Sequence, residues 1–452
     1  MKKFAWLLLP VCLALSGLIT GCKQAAGPKI DIIQIHGASW ASNVTTSYGW
    51  FGATTEIEEQ NKLTLAASDG DLLYMTLPDD QQFYYRYSAK DGKNLELTFD
   101  TLGAVSVYLN GELNYLELTK ASSLEAFSAL TDPEITQLST LNLNGPRADD
   151  IIPILKEHES RLQGIGLVLE NGTDFPDLNE LLGLCRPEFL VLHNTSVLPE
   201  PDANNIREGL ELLWIDESIP TLSKTIACCG DLESLIITAW ETLPGEILPL
   251  SSLNELHNLT LAESNLTSLQ NIEFPEALRS LNLIYCDTLG NIDQLEKLTN
   301  LRRLSLTACE KVNNIGLLQS LESLRWISFP GNISHQEFQE LCGSLSQLEV
   351  VELLDCPEIT DLLPLNQVQD LRILSLQLEK EQLGGLDSLT QLEVLTLNEE
   401  LFTDNPEWIK ELRASLPQVQ IVPGSGMCLG SGWLLLLLPL ILLFRFTFRQ
   451  KA

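Results

Sequence analysis

The chain has 452 residues, a formal net charge of −33 at pH 7 and a pI of about 4.4. Hydrophobic residues make up 44% of it and charged residues 20%, which is typical of a folded protein. Because binding to a phosphate backbone needs a cationic face, this balance argues against nucleic acid as a partner. The acidity favours either solubility on an exposed surface or the attraction of a basic partner.

Residues 1–21 have the pattern of a secretory signal peptide. A basic start is followed by an apolar run over residues 4–19 and then by a small residue, Gly21. The segment Leu18-Ile-Thr-Gly-Cys22 resembles the bacterial lipobox, in which cleavage falls before the cysteine and the thiol carries diacylglycerol. This resemblance implies a lipid on Cys22. Residues 22–29 come next as a short tether.

Residues 30–101 predict a small β-rich N-terminal module, either a β-sandwich or a cap on the next domain. Apolar and polar residues alternate over short segments, and turns rich in aspartate and glycine separate them. These segments are Ile30–Ile35, Lys62–Ala66, Leu72–Leu77, Phe83–Tyr87 and Leu95–Phe99. The acidic turns lack the spacing of a calcium-binding loop, so we interpret them as plain turns.

A Leu-x-x-Leu-x-Leu motif recurs from residue 102 to residue 422. Clear copies begin at Leu256, Leu278, Leu301, Leu348, Leu371 and Leu392, and looser copies at Leu113, Leu138, Leu162, Pro187, Leu210, Leu232 and Leu324. The intervals of 21 to 25 residues between consecutive starts are typical of leucine-rich repeats. We therefore expect an α/β leucine-rich-repeat solenoid, with a curved parallel β-sheet inside and short helices on the convex side.

Two longer helices are expected among the repeats. Ser334 and Glu337 have the spacing of a capping box, which predicts an α-helix at residues 334–345. Asn405-Pro406 starts a second helix that ends before Pro417. Residues 419–421 are long enough for one last strand.

The spacing of the cysteines and histidines indicates structural roles and does not indicate a metal-binding or redox site. Cys286, Cys309 and Cys356 fill the Asn/Cys position of the repeat consensus, so we interpret them as buried small hydrophobic residues. No Cys-x-x-Cys occurs, and no histidine pair has zinc-ligand spacing. Catalytic motifs for serine hydrolases, metalloproteases and phosphate binding are absent from the sequence. We therefore expect no enzymatic activity, metal or cofactor.

One stretch of the concave face is unusually apolar. The outward position between the second and third leucine steps holds mostly small polar residues; in order, the set is Glu117, Asn142, Gly166, Val191, Trp214, Ile236, Thr260, Asn282, Ser305, Ser328, Glu352, Ser375 and Thr396. Three consecutive members, Val191, Trp214 and Ile236, are apolar. With their neighbours they form a predicted contact patch for a protein ligand, since aromatic side chains contribute much of the binding energy at protein interfaces. The patch consists of Phe189, Val191, His193, Trp214, Asp216, Ile236 and Trp240.

A second register is open for this patch. Leu212-Leu213 and Ile236-Ile237 permit a slip of one residue, which would turn the same side chains into the core. The two registers are about equally compatible with the sequence.

The last segment, 423–452, contains a glycine and cysteine motif, an apolar run and a basic tail. The motif residues are Gly424, Gly426, Cys428, Gly430 and Gly432. This arrangement resembles bacterial C-terminal sorting signals of the glycine/cysteine type; a plain transmembrane anchor is the alternative. The uncharged run over residues 427–444 is at the short limit for a membrane span. Either interpretation places the repeats outside the cytoplasm.

Together the motifs resemble those of bacterial leucine-rich-repeat lipoproteins. The resemblance implies an extracytoplasmic, membrane-anchored protein that serves as a non-enzymatic recognition or adhesion surface. Two alternatives stay open: an envelope scaffold or spacer, and a surface hydrolase or carbohydrate-binding protein with its site in the N-terminal module.

Overall fold

The computed structural model describes residues 148–170, 178–192, 209–216, 226, 229–241 and 247–423, together with the backbone of nine earlier strands. Those nine are β1 (Lys29–Ile35), β2 (Ala53–Glu56), β3 (Lys62–Ala66), β4 (Leu72–Thr76), β5 (Gln82–Arg86), β6 (Asn94–Phe99), β7 (Val105–Leu109), β8 (Glu112–Leu113) and β9 (Thr140–Asn144). Cys22, His193 and the sorting motif lie outside the described residues.

A parallel sheet of thirteen strands runs through the described repeats. It starts at β9 and continues through twelve strands, which are β10 (Gly166–Glu170), β11 (Phe189–Leu192), β12 (Leu212–Asp216), β13 (Ser234–Thr238), β15 (Asn258–Ala262), β17 (Ser280–Ile284), β18 (Arg303–Ser305), β19 (Trp326–Ser328), β20 (Val350–Leu354), β21 (Ile373–Gln377), β22 (Val394–Leu397) and β23 (Gln420–Pro423). Two short strands, β14 (Leu248–Pro249) and β16 (Ile272–Glu273), pair with each other on the return side. The prediction of a leucine-rich-repeat solenoid is confirmed.

The sheet forms because each repeat has an apolar edge that only the neighbouring repeat can cover. The second residue of most of these strands is a leucine that pairs in register with the same position of the next strand, as in Leu259↔Leu281 and Leu281↔Leu304. These side chains are fully buried in one continuous core. Since side chains alternate across a strand, the flanking residues lie on the opposite, concave face.

Short helices return along the convex side. The α-helices are α1 (Ala148–Glu157), α2 (Glu159–Leu162), α3 (Leu178–Cys185), α4 (His335–Ser344), α5 (Glu399–Asp404) and α6 (Pro406–Ser415). The 3-10 helices are Leu269–Asn271, Asp293–Lys297, Ile315–Ser320, Leu363–Gln367, Lys380–Gln382 and Leu386–Ser388. The predicted capping box of α4 is confirmed, with Ser334 and Glu337 bonding each other's backbone N–H. Helix α6 and the last strand, β23, are also confirmed.

The early strands are antiparallel, as the alternation predicts. They form two four-stranded sheets, with the orders β2-β1-β4-β5 and β3-β6-β7-β8. Strand β2 has no counterpart among the predicted segments. Antiparallel pairing continues through β7 and β8 to Leu113, and the boundary between module and repeats at residue 101 stays a prediction. The parallel sheet is described from Thr140 onward.

A left-handed turn follows several strands and directs the next residue into the core. Tyr285, Ala308 and Asp355 have φ of 52° to 53°, and each precedes one of the consensus cysteines. The thiols donate to carbonyls one repeat earlier, with Cys286 to Leu261 at 3.6 Å. Burial raises the pKa of Cys356 to about 12. The prediction that these cysteines are buried structural residues is confirmed.

No helix within the described ranges is long and apolar enough to cross a membrane. The predicted apolar run at residues 427–444 falls outside those ranges.

Leu304→Ala is expected to destabilise the solenoid by about 2–5 kcal/mol, because the fully buried side chain leaves a cavity at the centre of the leucine row. Leu304→Asp should destabilise it further, since an unpaired carboxyl group would be buried. Urea unfolding followed by far-ultraviolet circular dichroism measures both changes. The exposed Leu363→Ala is the control; equal effects at the two positions would contradict the core assignment.

Candidate functional site

The concave face consists of two rows of side chains in constant register. One row holds the first residue of each strand, from Gly166 and Phe189 to Val394. The second row lies two residues further along; its members are Asn142, Val168, Val191, Trp214, Ile236, Thr260, Asn282, Ser305, Ser328, Glu352, Ser375 and Thr396. From Asn142 onward this row matches the predicted one except at β10, and Glu117, the first predicted member, lies outside the described residues. Val168, and not Gly166, pairs with Val191, because the loose motif copy there was aligned two residues early.

An apolar cluster occupies the first strands of this face. It consists of Val168, Phe189, Val191, Leu212, Trp214 and Ile236, and it is separate from the main core. These side chains therefore lie on the concave face, and the alternative register, slipped by one residue, is wrong for them. These side chains are much less exposed to solvent than a contact patch would require, however. Trp214 is only 6% exposed, and the other members are buried as well.

Trp240 is not part of this cluster. It is 1% exposed and belongs to the main core. The reason is the left-handed turn at Ala239, with φ of 55°, which directs the next side chain inward. Trp240 follows Leu235 by five residues, as Cys309 follows Leu304, so it occupies the Asn/Cys position of its repeat. Sequence counting contained this signal, and the inclusion of Trp240 in the patch is wrong.

The polar rim of the patch is only partly described. Asp216 ends β12 and pairs in register with Thr238. The Thr238 hydroxyl is buried and donates to the Ile215 carbonyl at 3.3 Å. His193 lies outside the described residues, so its place beside the cluster stays a prediction.

Phe189 and Gly166 fit together at the edge of the cluster. A Cβ atom on Gly166 would overlap the ring of Phe189, so the aromatic ring lies directly over the glycine backbone. The two residues are cross-strand neighbours in the first concave row. Glycine is required here for space, because any side chain would displace the ring.

Strand β5 of the N-terminal module approaches the same end of the sheet. Its backbone comes within 8 Å (Cα–Cα) of both β9 and β10, although it belongs to a different sheet. An element from outside the repeats therefore lies close to the strands that carry the apolar cluster. This long-range approach has no counterpart in the local sequence pattern.

Further along the concave face, an aromatic and cationic pair replaces the aliphatic residues. The Arg303 guanidinium stacks on the Trp326 ring, 4.0 Å from its centroid. The two residues are cross-strand neighbours, and Val350 packs against Trp326 from the next strand. Arg303 and Trp326 are both buried. Neither residue is among the predicted site residues, because the two are 23 residues apart in the chain and only the strand register brings them together.

A chain of hydroxyl groups lies beside this pair. Ser305 and Thr307 are joined at 2.8 Å, as are Thr307 and Ser328. Glu352, on the next strand, is 1% exposed and has one carboxyl oxygen without a hydrogen-bond partner. Burial raises the pKa of Glu352 well above its usual range, against the opposing charge of Arg303 and a hydrogen bond with Ser328. The concave centre therefore favours a neutral carboxyl group.

The hydroxyl groups at the concave centre bond to one another. They have neither histidine nor lysine among their hydrogen-bond partners to act as a base. Among the described residues, no group of three or more potential metal ligands occurs. What the concave face offers is a rigid series of hydrogen-bonding, aromatic and apolar groups at strand spacing. The fold and this face define the class, a leucine-rich-repeat solenoid protein.

No protein-family model and no curated protein matches the sequence. Among solved structures, the chain is similar to a leucine-rich-repeat protein of Leptospira interrogans, with 18% identity over 66% of this chain and 98% of that one and a TM-score of 0.34. Internalin C2 of Listeria monocytogenes has 21% identity over 57% of this chain and 99% of its own, with a TM-score of 0.33. The Toll–Spatzle complex of Drosophila has 14% identity over 76% of this chain and 46% of its own chain, with a TM-score of 0.38. Because all three TM-scores are below 0.5, the fold assignment rests on the repeats and sheet of this chain.

Gly166→Ala is expected to destabilise the protein by about 1–3 kcal/mol, because the new methyl group must displace the Phe189 ring. Phe189→Leu should relieve the overlap, so the double variant should lose less stability than the sum of the single changes. Gly183→Ala is a matched control, since a Cβ atom there meets nothing within 4 Å. Thermal unfolding of the four variants provides the measurement. Additive losses at residues 166 and 189 would contradict the contact.

Glu352→Gln is expected to change how stability depends on pH. A carboxyl group whose pKa is raised by folding stabilises the protein fully below its unfolded pKa of about 4.3, and this stabilisation is lost as the pH rises through the folded pKa. The neutral amide cannot ionise, so the variant should gain stability relative to the native chain as the pH rises from 4 to 8. Chemical denaturation at several pH values measures this difference. A constant difference would show that Glu352 titrates normally.

Proposed function

We propose that this chain is an exported, membrane-anchored recognition or adhesion protein that binds a protein partner on its concave face and catalyses no reaction. The observation that carries the proposal is the constant register of the concave rows across thirteen strands. Such a register holds many side chains of different chemistry on one rigid surface, which favours recognition of a large partner. A catalytic site needs instead a few groups converging on one point.

The proposed contact region begins at the apolar cluster and extends along the concave face. Phe189, Val191, Trp214 and Ile236 remain its apolar members, and His193 and Asp216 its proposed rim. The cluster itself is buried. The far end of the face is more accessible: Gln377 is exposed, and Val394 is half-buried. We propose that a partner first engages this accessible end.

The location of the protein belongs to the same proposal. Lipid attachment at Cys22 and a sorting or anchoring function for residues 423–452 would hold the chain at the cell envelope. The proposed division comprises the signal peptide (1–21), tether (22–29), β-rich module (30–101), repeats (102–422) and tail. Both proposed anchors would place the concave face outside the cytoplasm, where it can meet a protein partner.

Photo-crosslinking in intact cells tests the proposal. A crosslinking amino acid at Gln377 samples the concave end, and the same probe at Glu381, in the 3-10 helix Lys380–Gln382, samples the convex side as a matched control. Both positions are exposed. We expect a defined protein adduct from position 377 that is absent from position 381. Binding of that partner should weaken by about 2 kcal/mol in Ile373→Glu, because Ile373 lies on the concave face of the same strand as the probe.

Two results would contradict the proposal. Equal adducts from both probes would show that contact is not specific to the concave face. A defined small-molecule or glycan product formed by the purified chain, with no protein adduct, would favour the hydrolase or carbohydrate-binding alternative.

A further inference from the structure

A column of ten residues runs along the edge of the parallel sheet where the strands begin. Each member immediately precedes a strand, and the backbone N–H of every member after the first donates to the carbonyl of the previous member at 2.7–2.9 Å. In order, this rim column consists of Glu188, Glu211, Glu233, His257, Arg279, Arg302, Arg325, Glu349, Arg372 and Glu393. Nine of the ten residues are glutamate or arginine, so the rim column is a charged edge with His257 within it.

The last three members satisfy one another within the chain. Arg372 makes two hydrogen bonds to the Glu393 carboxylate, at 2.6 and 2.9 Å. The guanidinium also lies 3.8 Å from the Glu349 carboxylate. The alternation of glutamate, arginine and glutamate along the column makes this pairing possible.

The first seven members are arranged differently, because their charges are segregated. Three glutamates follow one another, then His257, and then three arginines. Neighbouring strands are about 4.8 Å apart, and like charges directly opposite each other are destabilising. The arginine triplet also stands out in a chain with only 28 basic residues against 61 acidic ones. Apart from the exposed Glu188, these charged side chains are half-buried, and several also interact within the chain.

The segregated part of the rim column is self-complementary. We propose that two copies of this chain associate edge to edge and antiparallel, with a two-fold axis at His257. Glu188 then faces Arg325 of the second copy, Glu211 faces Arg302, and Glu233 faces Arg279. Each pairing occurs twice, because a two-fold interface uses the same surface on both subunits. The order of charges required by this symmetry is the one that the column has.

The dimensions suit such an interface. Six strand steps separate Glu188 from Arg325, which corresponds to about 29 Å at ~4.8 Å per strand. Complementary charges across an interface determine its register and accelerate association. Exposed ion pairs are screened by salt, so this dimer should weaken as the ionic strength increases. The concave face stays clear of the rim column, and the dimer does not depend on the proposed partner binding.

Sedimentation of the full-length chain at low ionic strength is the first measurement. We expect a monomer–dimer equilibrium that shifts to monomer in about 1 M salt, where the Debye length is only ~3 Å. A monomer at every concentration and ionic strength would overturn the proposal. Association that is insensitive to salt would also overturn it, because it would require a different interface.

Charge exchange then tests the pairing itself. Arg302→Glu and Glu211→Arg should each raise the dimer dissociation constant more than about tenfold, because each places two like-charge contacts in the homodimer. The double variant Glu211→Arg/Arg302→Glu restores opposite charges in both contacts, so its dimer should recover. A mixture of the two single variants should form a heterodimer for the same reason. Lys410→Glu, on the exposed surface of α6, changes the net charge by the same amount as Arg302→Glu and should have no effect on dimerisation.

Circular dichroism and the thermal midpoint show whether each variant is folded. Since the double variant carries both substitutions, its recovery would exclude misfolding as the cause of dissociation in the single variants. Failure of the double variant to dimerise while folded would overturn the proposed two-fold pairing. Normal dimerisation of both single variants would overturn it as well.

Discussion

The in-register stacking of one apolar core residue per strand, a leucine in most strands, is the constraint on which the rest of this structure depends. Leu259, Leu281 and Leu304 are cross-strand neighbours and are completely buried. No single repeat can cover such a residue, so each coil requires the next one. Since a strand alternates its side chains, fixing the leucine on one side also fixes which residues occupy the concave face.

Once the register is fixed, each repeat position has a defined environment. The position after the left-handed turn lies in the core whether it holds Cys286, Cys309 or the far larger Trp240. The first concave position can hold Gly166 only because the next repeat supplies Phe189 to cover it. Neighbouring coils therefore compensate for each other's volume. On the core side of the sheet, position in the repeat decides burial, and residue type decides how the space is filled.

The two faces of the sheet serve different purposes. The core side is uniform and apolar, as stacking requires. The concave side changes along the solenoid from the aliphatic and aromatic cluster to the Arg303–Trp326 pair and then to the buried carboxyl of Glu352. Stacking alone does not require this variety, which is why we propose a recognition function for the concave face. The rim column adds a third, charged surface that differs from both.

The sequence by itself determined the repeat period, the parallel sheet, the core leucines, the capped helix α4 and the burial of the consensus cysteines. All of these follow from local periodicity or from hydrogen bonds between residues close in the chain. The same counting places Trp240 in the core. Only the tertiary structure decided that Trp214 is buried although it lies on the concave face, because exposure depends on what approaches that face from distant parts of the chain. It also decided that Arg303 stacks on Trp326 and that Glu352 is buried. Both features depend on side chains from separate repeats that the fold places on neighbouring strands.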